Sequence, residues 1–296
     1  MQLFFYILYY PFILIVSYLP FRLLYILSDF LFFIMYYVIG YRKKVVSYNL
    51  KLALPYLTDA ERKIVERKSF QHLCDMFLET MKTMSITPKQ IEKRFVFKNI
   101  EVYHDLEKQG KSIALMCAHY ASYEWVVSLN NKINFKGYAI YKKISNKYFD
   151  KLIRDIRSKF KAYLIHTRES ISIIEENSLN NELCLYGFAS DQSPLIKPLT
   201  YWSKFLNIEV PIHTGAELLA KKFDMNVLYL KVEKVKRGHY EAYFEVLSDD
   251  ARSIPDYQIT DVFMKKVEEQ IYAAPEFYMW THRRFKHMGK NNKTKL

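Results

Sequence analysis

Glycine is scarce in this sequence, with 7 residues among 296, and the 9 prolines are scattered along it. This composition excludes a disordered or linker-rich chain, and no internal repeat is present. The hydrophobic residues make up 50% of the chain. The length and the apolar content together predict one large domain with a substantial core.

Cysteine is also sparse, and the three cysteines, Cys74, Cys117 and Cys184, lie far apart. Their odd number and wide spacing do not indicate a disulfide framework, and the sequence has no Cys-x-x-Cys metal motif. The pattern predicts reduced, buried thiols in a domain that faces the cytoplasm.

Acidic residues are outnumbered, 31 against 44 Lys and Arg, which gives a formal net charge of +13. Such an excess favours anionic partners: phospholipid headgroups, nucleic acid or an acidic carrier protein. The alternative is that the charge only keeps the protein soluble. Because the basic residues are spread out and no nucleic-acid-binding motif is present, nucleic acid is the least favoured partner.

Residues 1–21 contain no charged side chain. A helix of about 20 apolar residues crosses the hydrocarbon core of a bilayer, which is about 30 Å thick. The segment lacks the positive start and the small-residue cleavage site of a signal peptide. It is therefore predicted to be a retained membrane anchor, with a buried core helix as the alternative.

Two prolines complicate a simple span, because Pro11 and Pro20 are expected to kink or break the helix. A second apolar run at 31–41 is too short to span unaided, and it ends at Arg42-Lys43-Lys44. These charges predict that the chain continues on the cytoplasmic side. A span, a re-entrant hairpin and an interfacial anchor all remain open for residues 1–41. Residues 42–296 are predicted to form the catalytic domain.

The catalytic domain is expected to begin with helices at 45–95, with a boundary near Leu54-Pro55 and a capping box of Thr58 and Glu61. After about residue 100, short apolar runs alternate with helical stretches. The predicted fold class is α/β, a sheet flanked by helices. The predicted strands are 112–118, 138–142, 162–166, 182–189 and a hairpin around Arg237-Gly238; helices are expected between them and at 257–273.

His119 and Asp191 directly follow two of these predicted strands. In α/β sheets, functional groups collect beyond the carboxyl ends of strands. Glu124 lies five residues after His119, and on one straight helix the two side chains would point about 140° apart. They meet only if His119 lies at the strand-to-helix corner. A carboxylate there would hold one imidazole nitrogen and make the other a general base for a hydroxyl.

The alternative for His119 is a structural hydrogen bond, since His-x4-Glu is a common chance pattern. A zinc site is disfavoured because the sequence has no His-Glu-x-x-His or similar ligand spacing.

Six blocks, in order along nearly the whole chain, carry a family resemblance. They are YRKKVVSYNLKLALP (41–55), HYASYEW (119–125), IRSKF (156–160), SDQSP (190–194), FLNIEVPIHTGAELLAKK (205–222) and PEFYMWTHRRFK (275–286). Together they resemble the late acyltransferases of lipid A biosynthesis, the lauroyl/myristoyl transferase family of Gram-negative bacteria. One departure is Ala121-Ser122, where the family often has a pair such as Gly-Asn.

The resemblance implies a glycerolipid-acyltransferase-like fold with a mixed sheet. It makes His119 the base and Glu124 its orienting carboxylate. It implies that Arg157 stabilises an oxyanion or clamps a phosphate, with Arg154 as a neighbouring alternative. Asp191 would position Arg157 or the acceptor sugar. Without the family, a surface charge and a loop-end cap are equally good interpretations of Arg157 and Asp191. Further elements expected to be structural or to contact headgroups are Trp280, His282, Arg283 and Arg284.

A basic helix face is predicted after the block at 119–125. Lys147, Lys151 and Arg154 have helical spacing, and Lys142 and Lys143 precede them. It is either a solvated surface or a dock for acyl carrier protein or for lipid phosphates.

The predicted function is transfer of a fatty acyl chain from acyl carrier protein to a hydroxyl of a lipid A precursor, at the cytoplasmic face of the cell inner membrane. No metal or small cofactor is expected. The alternatives are an acyltransferase for another lipid acceptor, such as a lysophospholipid, an amino-acid lipid or a polyene lipid, and a non-catalytic membrane protein that kept the fold.

Overall fold

A seven-stranded sheet and a separate two-stranded hairpin form the β-structure of the protein, in a computed structural model that describes residues 2–291. The strands are β1 Phe95–Phe97, β2 Ile113–Cys117, β3 Lys136–Tyr141, β4 Tyr163–His166, β5 Cys184–Ala189, β6 Trp202–Phe205, β7 Ile208–Pro211, β8 Asn226–Lys236 and β9 His239–Ser248. The large sheet has the order β1-β9-β8-β2-β5-β3-β4. It is mixed, because β8 and β9 pair antiparallel while the other neighbours are parallel.

Helices flank this sheet, as the sequence pattern predicted. They are α1 Gln2–Tyr18, α2 Phe21–Phe33, α3 Lys43–Ala53, α4 Asp59–Lys82, α5 Pro88–Arg94, α6 Ile100–Glu107, α7 Lys147–Ser158, α8 Ser170–Leu179, α9 Gly215–Lys222 and α10 Gln258–Ala273. A π-helical segment, Ile34–Ile39, continues α2, and 3-10 helices occupy Tyr123–Asn131 and Pro275–Phe277. The mixed sheet and its flanking helices confirm the predicted α/β class.

Local sequence accounts for most of these boundaries. Thr58 and Glu61 form the predicted capping box at the start of α4. Strand β2 is buried at all five positions, which fits its continuous apolar sequence at the centre of the sheet. The hairpin of β8 and β9 turns at Gly238, whose φ of +70° favours glycine.

The β6–β7 hairpin was not predicted from the sequence. Its two strands are joined by Leu206 and Asn207, both with positive φ, at 51° and 62°. A two-residue turn of this kind usually carries Asn-Gly or Asp-Gly, and leucine there gives no turn signal. Strand β1 was also missed, because three residues are too few to show a period.

The N-terminal segment is divided differently from the prediction. Helix α1 continues through Pro11, and the break falls at Pro20, which precedes α2. Within the described residues, one helical stretch is long and apolar enough to cross a membrane: Phe21–Ile39, with 19 residues and a mean hydropathy of 1.7. The expected break at Pro20 is confirmed, whereas α1 is unbroken at Pro11. The apolar run at 31–41 belongs to a longer stretch, because α2 and the π-helical segment are continuous.

One side of the N-terminal helices packs against α4. Ser28 donates a hydrogen bond of 2.7 Å to Asp75, and Tyr36 donates one of 2.9 Å to Glu66. Lys82 reaches the carbonyl of Ser17 at 2.7 Å. The other side of these helices exposes apolar side chains, among them Ile15, Ile26 and Val38. The N-terminal helices are thus packed on α4 through polar contacts and through the apolar cluster of Val16, Leu24 and Leu78, and they leave an apolar face uncovered.

Candidate active site

His119 and Asp191 are brought together by two neighbouring parallel strands. In the register of β2 and β5, Cys117 pairs with Ala189. Each functional residue lies two positions beyond the end of its strand, so both stand at the same edge of the sheet. This position confirms the sequence-based placement of both residues at the carboxyl ends of strands.

A short hydrogen bond joins the two side chains. The distance between His119 Nδ1 and Asp191 Oδ1 is 2.7 Å, and the same oxygen accepts the backbone N–H of His119 at 3.0 Å. The Asp191 side chain is 1% exposed and that of His119 is 20% exposed. Because a carboxylate accepts hydrogen bonds, Nδ1 carries the proton. Nε2 is then the nitrogen with a free lone pair.

The two groups shift each other's pKa in opposite directions. Burial alone would lower the pKa of His119, but the charge and the hydrogen bond of Asp191 outweigh it, and the pKa is raised. Burial alone would raise the pKa of Asp191, but His119 outweighs it in turn, and the pKa is lowered. Asp191 is therefore ionised at neutral pH, and His119 is a stronger base than an isolated imidazole.

Glu124 does not make the hydrogen bond that the sequence analysis assigned to it. Both of its oxygens accept from Arg157: Oε2 from Nε at 2.8 Å and Oε1 from Nη2 at 2.6 Å. The charge of Glu124 contributes to the raised pKa of His119, after burial and Asp191. Asp191, expected to position Arg157 or the acceptor, instead occupies the place beside the imidazole. The strand register places Asp191 next to His119. The turn at Ala121 and the 3-10 helix that follows it place Glu124 beside Arg157 of α7 instead.

The chain turns sharply between His119 and Glu124. Ala121 has a φ of 49°, in the left-handed region, and the 3-10 helix begins at Tyr123. The prediction that the pair straddles a strand-to-helix corner is confirmed. Glycine adopts this backbone conformation without steric cost, so Ala121 is held in a conformation that an L side chain disfavours.

The C-terminal segment forms one wall of a cleft at His119. Tyr278 pairs with Tyr120 in an isolated β-bridge, and the backbone N–H of Met279 donates to the carbonyl of His119 at 3.2 Å. Helix α4 supplies the opposite wall. Most of the cleft lining is apolar: Ser69, Phe70, His72, Leu73, Met76, His119, Tyr123, Phe277, Tyr278, Met279, Trp280 and Thr281.

Sequence reasoning missed several of these lining residues. Tyr123 packs its ring edge-on against the His119 imidazole, with 4.9 Å between the ring centroids. His72 lies in the cleft, but burial and the charge of Lys234 lower its pKa to about 3. No local pattern marks α4 as a wall of the site, because its residues reach His119 only through the tertiary fold.

The residues of the C-terminal block have separate roles. Asn49 donates to the carbonyls of Trp280 and His282, which fixes the segment to α3. His282 Nε2 accepts the backbone N–H of Ser193 at 3.2 Å, and burial lowers the pKa of His282 to about 4. Arg284 is buried and donates to the carbonyl of Pro211. Arg283 is exposed. The structural part of the prediction is confirmed for Trp280, His282 and Arg284.

Comparison with known proteins decides the family. The model of the bacterial lipid A biosynthesis acyltransferase family matches residues 1–287. This chain belongs to that family. The similarity extends to the lipid A biosynthesis lauroyltransferase of Escherichia coli K12, 23% identical over 246 residues, covering 83% of this chain and 79% of the relative. The lipid A biosynthesis palmitoleoyltransferase of the same organism is 22% identical over 250 residues, with the same coverage.

Membership of this family makes the protein an enzyme, an acyltransferase of lipid A biosynthesis. The family resemblance stated from six sequence blocks is confirmed. The two relatives are named for different acyl groups, lauroyl and palmitoleoyl, so the family includes more than one chain length.

The pair of Glu124 and Arg157 leads to a prediction. Glu124→Gln is expected to lower kcat/KM by about 10- to 100-fold, because a neutral amide cannot hold both N–H groups of the guanidinium in a charged, two-point pair. The acid limb of the pH–rate profile should move only slightly, since Asp191 still holds His119. Rates are measured across pH with Asp105→Asn, an exposed carboxylate on α6, as the control. A large shift of the acid limb would make Glu124 the carboxylate that acts on His119.

Proposed function

We propose that this enzyme transfers a fatty acyl group from acyl carrier protein to a hydroxyl of a lipid A precursor, at a membrane surface, with His119 as the general base and Asp191 as the carboxylate that orients it. The observation that carries the proposal is the 2.7 Å contact between His119 and Asp191 at the rim of an apolar cleft. Family membership supports the reaction class and the lipid A acceptor. A glycerolipid-acyltransferase-like fold is part of the proposal.

The reaction follows from the tautomer of His119. Nε2 takes the proton of the acceptor hydroxyl as its oxygen attacks the thioester carbonyl and forms the new C–O bond. Asp191 stabilises the imidazolium that results. Collapse of the tetrahedral intermediate breaks the C–S bond, and the departing thiolate takes the proton back from Nε2. No serine nucleophile or acyl-enzyme is needed. We also propose that no metal or cofactor takes part, and unchanged activity with a chelator would support this.

Arg157 is proposed as the group that stabilises the oxyanion. Glu124 binds its guanidinium side-on through Nε and Nη2, so Nη1 stands outside the pair. A guanidinium held rigidly in this way presents a donor without reorganising during the reaction. Burial alone would lower the pKa of Arg157, and Glu124 outweighs this and raises it. The charge is therefore permanent.

The apolar face of the N-terminal helices supports a membrane location. The helical stretch Phe21–Ile39 has the length and composition of a span, and exposed apolar side chains continue along α1. Arg42, Lys43 and Lys44 follow this stretch after Gly40 and Tyr41. Since cytoplasmic flanks carry such charges, we propose the inner membrane with the catalytic domain on the cytoplasmic side.

Helix α7 supports the choice of donor. Its apolar side packs through Leu152 and Ile156 against Ile13 of α1. Its opposite side exposes basic residues, and its last turn carries Arg157 of the site. Acyl carrier protein is acidic, so this surface would hold it beside Arg157. We define the α7 basic face as Lys142, Lys143, Lys147, Lys151 and Arg154.

A charge reversal tests this surface. Lys143→Glu with Lys147→Glu is expected to raise the KM for acyl carrier protein about tenfold or more at low salt, with kcat little changed, because encounter is steered by charge. The loss should shrink as salt is added. The matched control is Lys89→Glu with Lys93→Glu, two exposed lysines on α5. Equal effects from the two pairs would show that only the net charge matters.

The proposed function is tested by transfer from labelled acyl carrier protein to a purified lipid A precursor. Donors from about C10 to C18 are compared, as are lysophospholipid, amino-acid lipid and polyene lipid acceptors. Transfer to the lipid A precursor alone is the expected result. No transfer to it, with efficient transfer to another acceptor, would replace the proposed acceptor. Resistance to extraction by carbonate or high salt is expected of the membrane anchor, and release into solution would contradict it.

A further inference from the structure

A short loop that follows Asp191 in the sequence exposes three apolar side chains to solvent. It connects β5 to β6, and we refer to residues 194–200 as the distal loop. Its side chains Leu195, Ile196 and Leu199 are 78%, 43% and 91% exposed. Single exposed leucines are ordinary on protein surfaces, but three within five residues of one loop form a patch.

The distal loop is held in place at both ends. At its start, the backbone N–H of Ser193 donates to His282, and the Ser193 hydroxyl donates to the carbonyl of Arg284 at 2.6 Å. Just past its end, the hydroxyl of Tyr201 donates to Asp261 at 2.7 Å, and the carbonyl of Tyr201 accepts the backbone N–H of Ile212 at 3.0 Å. The apolar side chains are therefore presented outward by a fixed backbone.

Cationic side chains occur within the patch and in the segment to which the loop is bonded. Lys197 lies between the apolar residues and is exposed, and so are Arg283 and Lys286 in the segment to which the loop is bonded. Apolar side chains with basic neighbours are the combination that suits the interface of an anionic bilayer, where the first enter the acyl region and the second meet phosphates. An acidic protein surface would satisfy the cations but leave the leucines in water.

The patch is connected to the apolar N-terminal helices through the same C-terminal segment. Val38, Ile39 and Tyr41, which end the apolar stretch, are exposed. The next residue, Arg42, donates to the carbonyl of Thr281 at 3.0 Å. Thr281 directly precedes His282, which holds the start of the distal loop. The segments that carry the two apolar surfaces are thus both hydrogen-bonded to one short segment, residues 281–284.

We propose that the distal loop inserts Leu195, Ile196 and Leu199 into the lipid leaflet that holds the acceptor, as a second membrane contact beside the active site. This inference rests on the proposed membrane location of the N-terminal helices. Two contacts flanking residues 281–284 would fix the height of His119 above the leaflet. A lipid acceptor would then reach the cleft without leaving the membrane.

A fluorescent label tests the insertion. Leu199→Cys in the full chain is labelled with an environment-sensitive dye and reconstituted in vesicles of phosphatidylethanolamine and phosphatidylglycerol. The matched control is Leu179→Cys, at the end of α8, where the side chain is 78% exposed. The native cysteines are buried, so they contribute little label. The label at 199 is expected to be blue-shifted and quenched at least about threefold more by acyl-chain spin labels than the label at 179.

The outcomes separate the alternatives. Equal access of a water-soluble quencher to both labels would overturn the proposal. So would a blue shift that appears only when carrier protein is added, or only when the amount of enzyme per lipid is raised, since these indicate a protein partner or a second copy. Failure of both labelled proteins to float with vesicles would refute the membrane anchor itself, which is a separate result.

An activity ratio gives an independent readout. Leu195→Asp with Leu199→Asp is expected to lower transfer to an acceptor in vesicles about tenfold relative to the same acceptor dispersed in detergent micelles. Leu179→Asp should leave this ratio unchanged. A proportional loss in both assays would mean that the loop acts on folding or chemistry, and the proposal would be wrong.

Discussion

His119→Asn is expected to lower kcat for acyl transfer by about 10³-fold, within the range of about 10² to 10⁴ that general acid–base catalysis provides. The asparagine amide nitrogen takes the place of Nδ1, so it still donates to Asp191. The hydroxyl of the acceptor then has no base, because nothing replaces Nε2. This variant separates chemistry from folding better than alanine, which would leave the buried Asp191 carboxylate without its 2.7 Å partner.

The measurement is single-turnover transfer from labelled acyl carrier protein, with the melting temperature in detergent as the check on folding. His104→Asn is the control, since His104 lies on α6, away from the cleft. A full rate with His119→Asn would refute the assigned base. The neighbouring histidines would then be tested, although the pKa of His72 and of His282 is lowered by burial, to about 3 and about 4.

Asp191→Asn is expected to lower kcat/KM by about 10²- to 10⁴-fold and to move the acid limb of the pH profile to lower pH. The amide can donate to Nδ1, which forces the proton onto Nε2 and removes the base, a tautomer effect of about this size in other His–carboxylate enzymes. The direction of the shift follows from the pKa. Asp191 raises the pKa of His119 against the effect of burial, so without the carboxylate that pKa falls.

The direction of the His119 pKa shift in Asp191→Asn can be checked in the pH dependence of its residual activity. The active form has neutral His119, so activity is lost as pH falls through the pKa of His119, and a lower pKa retains activity to lower pH. The control is Asp224→Asn, at a partly exposed carboxylate that pairs with Lys111. If the acid limb stays in place in Asp191→Asn while it moves in Glu124→Gln, the roles of the two carboxylates are the reverse of those proposed.

Much of the catalytic domain was predictable from local patterns. The apolar run of β2 and the alternation of strands and helices up to β5 gave the α/β class, and Thr58 with Glu61 marked the start of α4. These features arise from short-range periodicity and capping. The β6–β7 hairpin escaped because Leu206 takes a turn conformation that its side chain does not favour.

The residues of the candidate site were predictable from the sequence, but which of them hydrogen-bond to each other was not. His119, Glu124, Arg157 and Asp191 do lie in one region, and each stands on the element expected from the sequence. Spacing along the chain, however, pointed to Glu124 as the partner of His119, whereas the hydrogen bonds join Glu124 to Arg157 and Asp191 to His119. Proximity in sequence was therefore a poor guide to which carboxylate meets the imidazole.

The sequence by itself determined the α/β class, the apolar N-terminus, the family and the strand-end position of His119 and Asp191. Those follow from period, hydrophobicity and residue order, which are local. Only the tertiary structure decided the pairing, because it depends on β2 and β5 being neighbours in register, with Cys117 opposite Ala189. The same is true of the cleft, whose walls come from α4 and residues 277–281, far from His119 in sequence but adjacent to it in the fold.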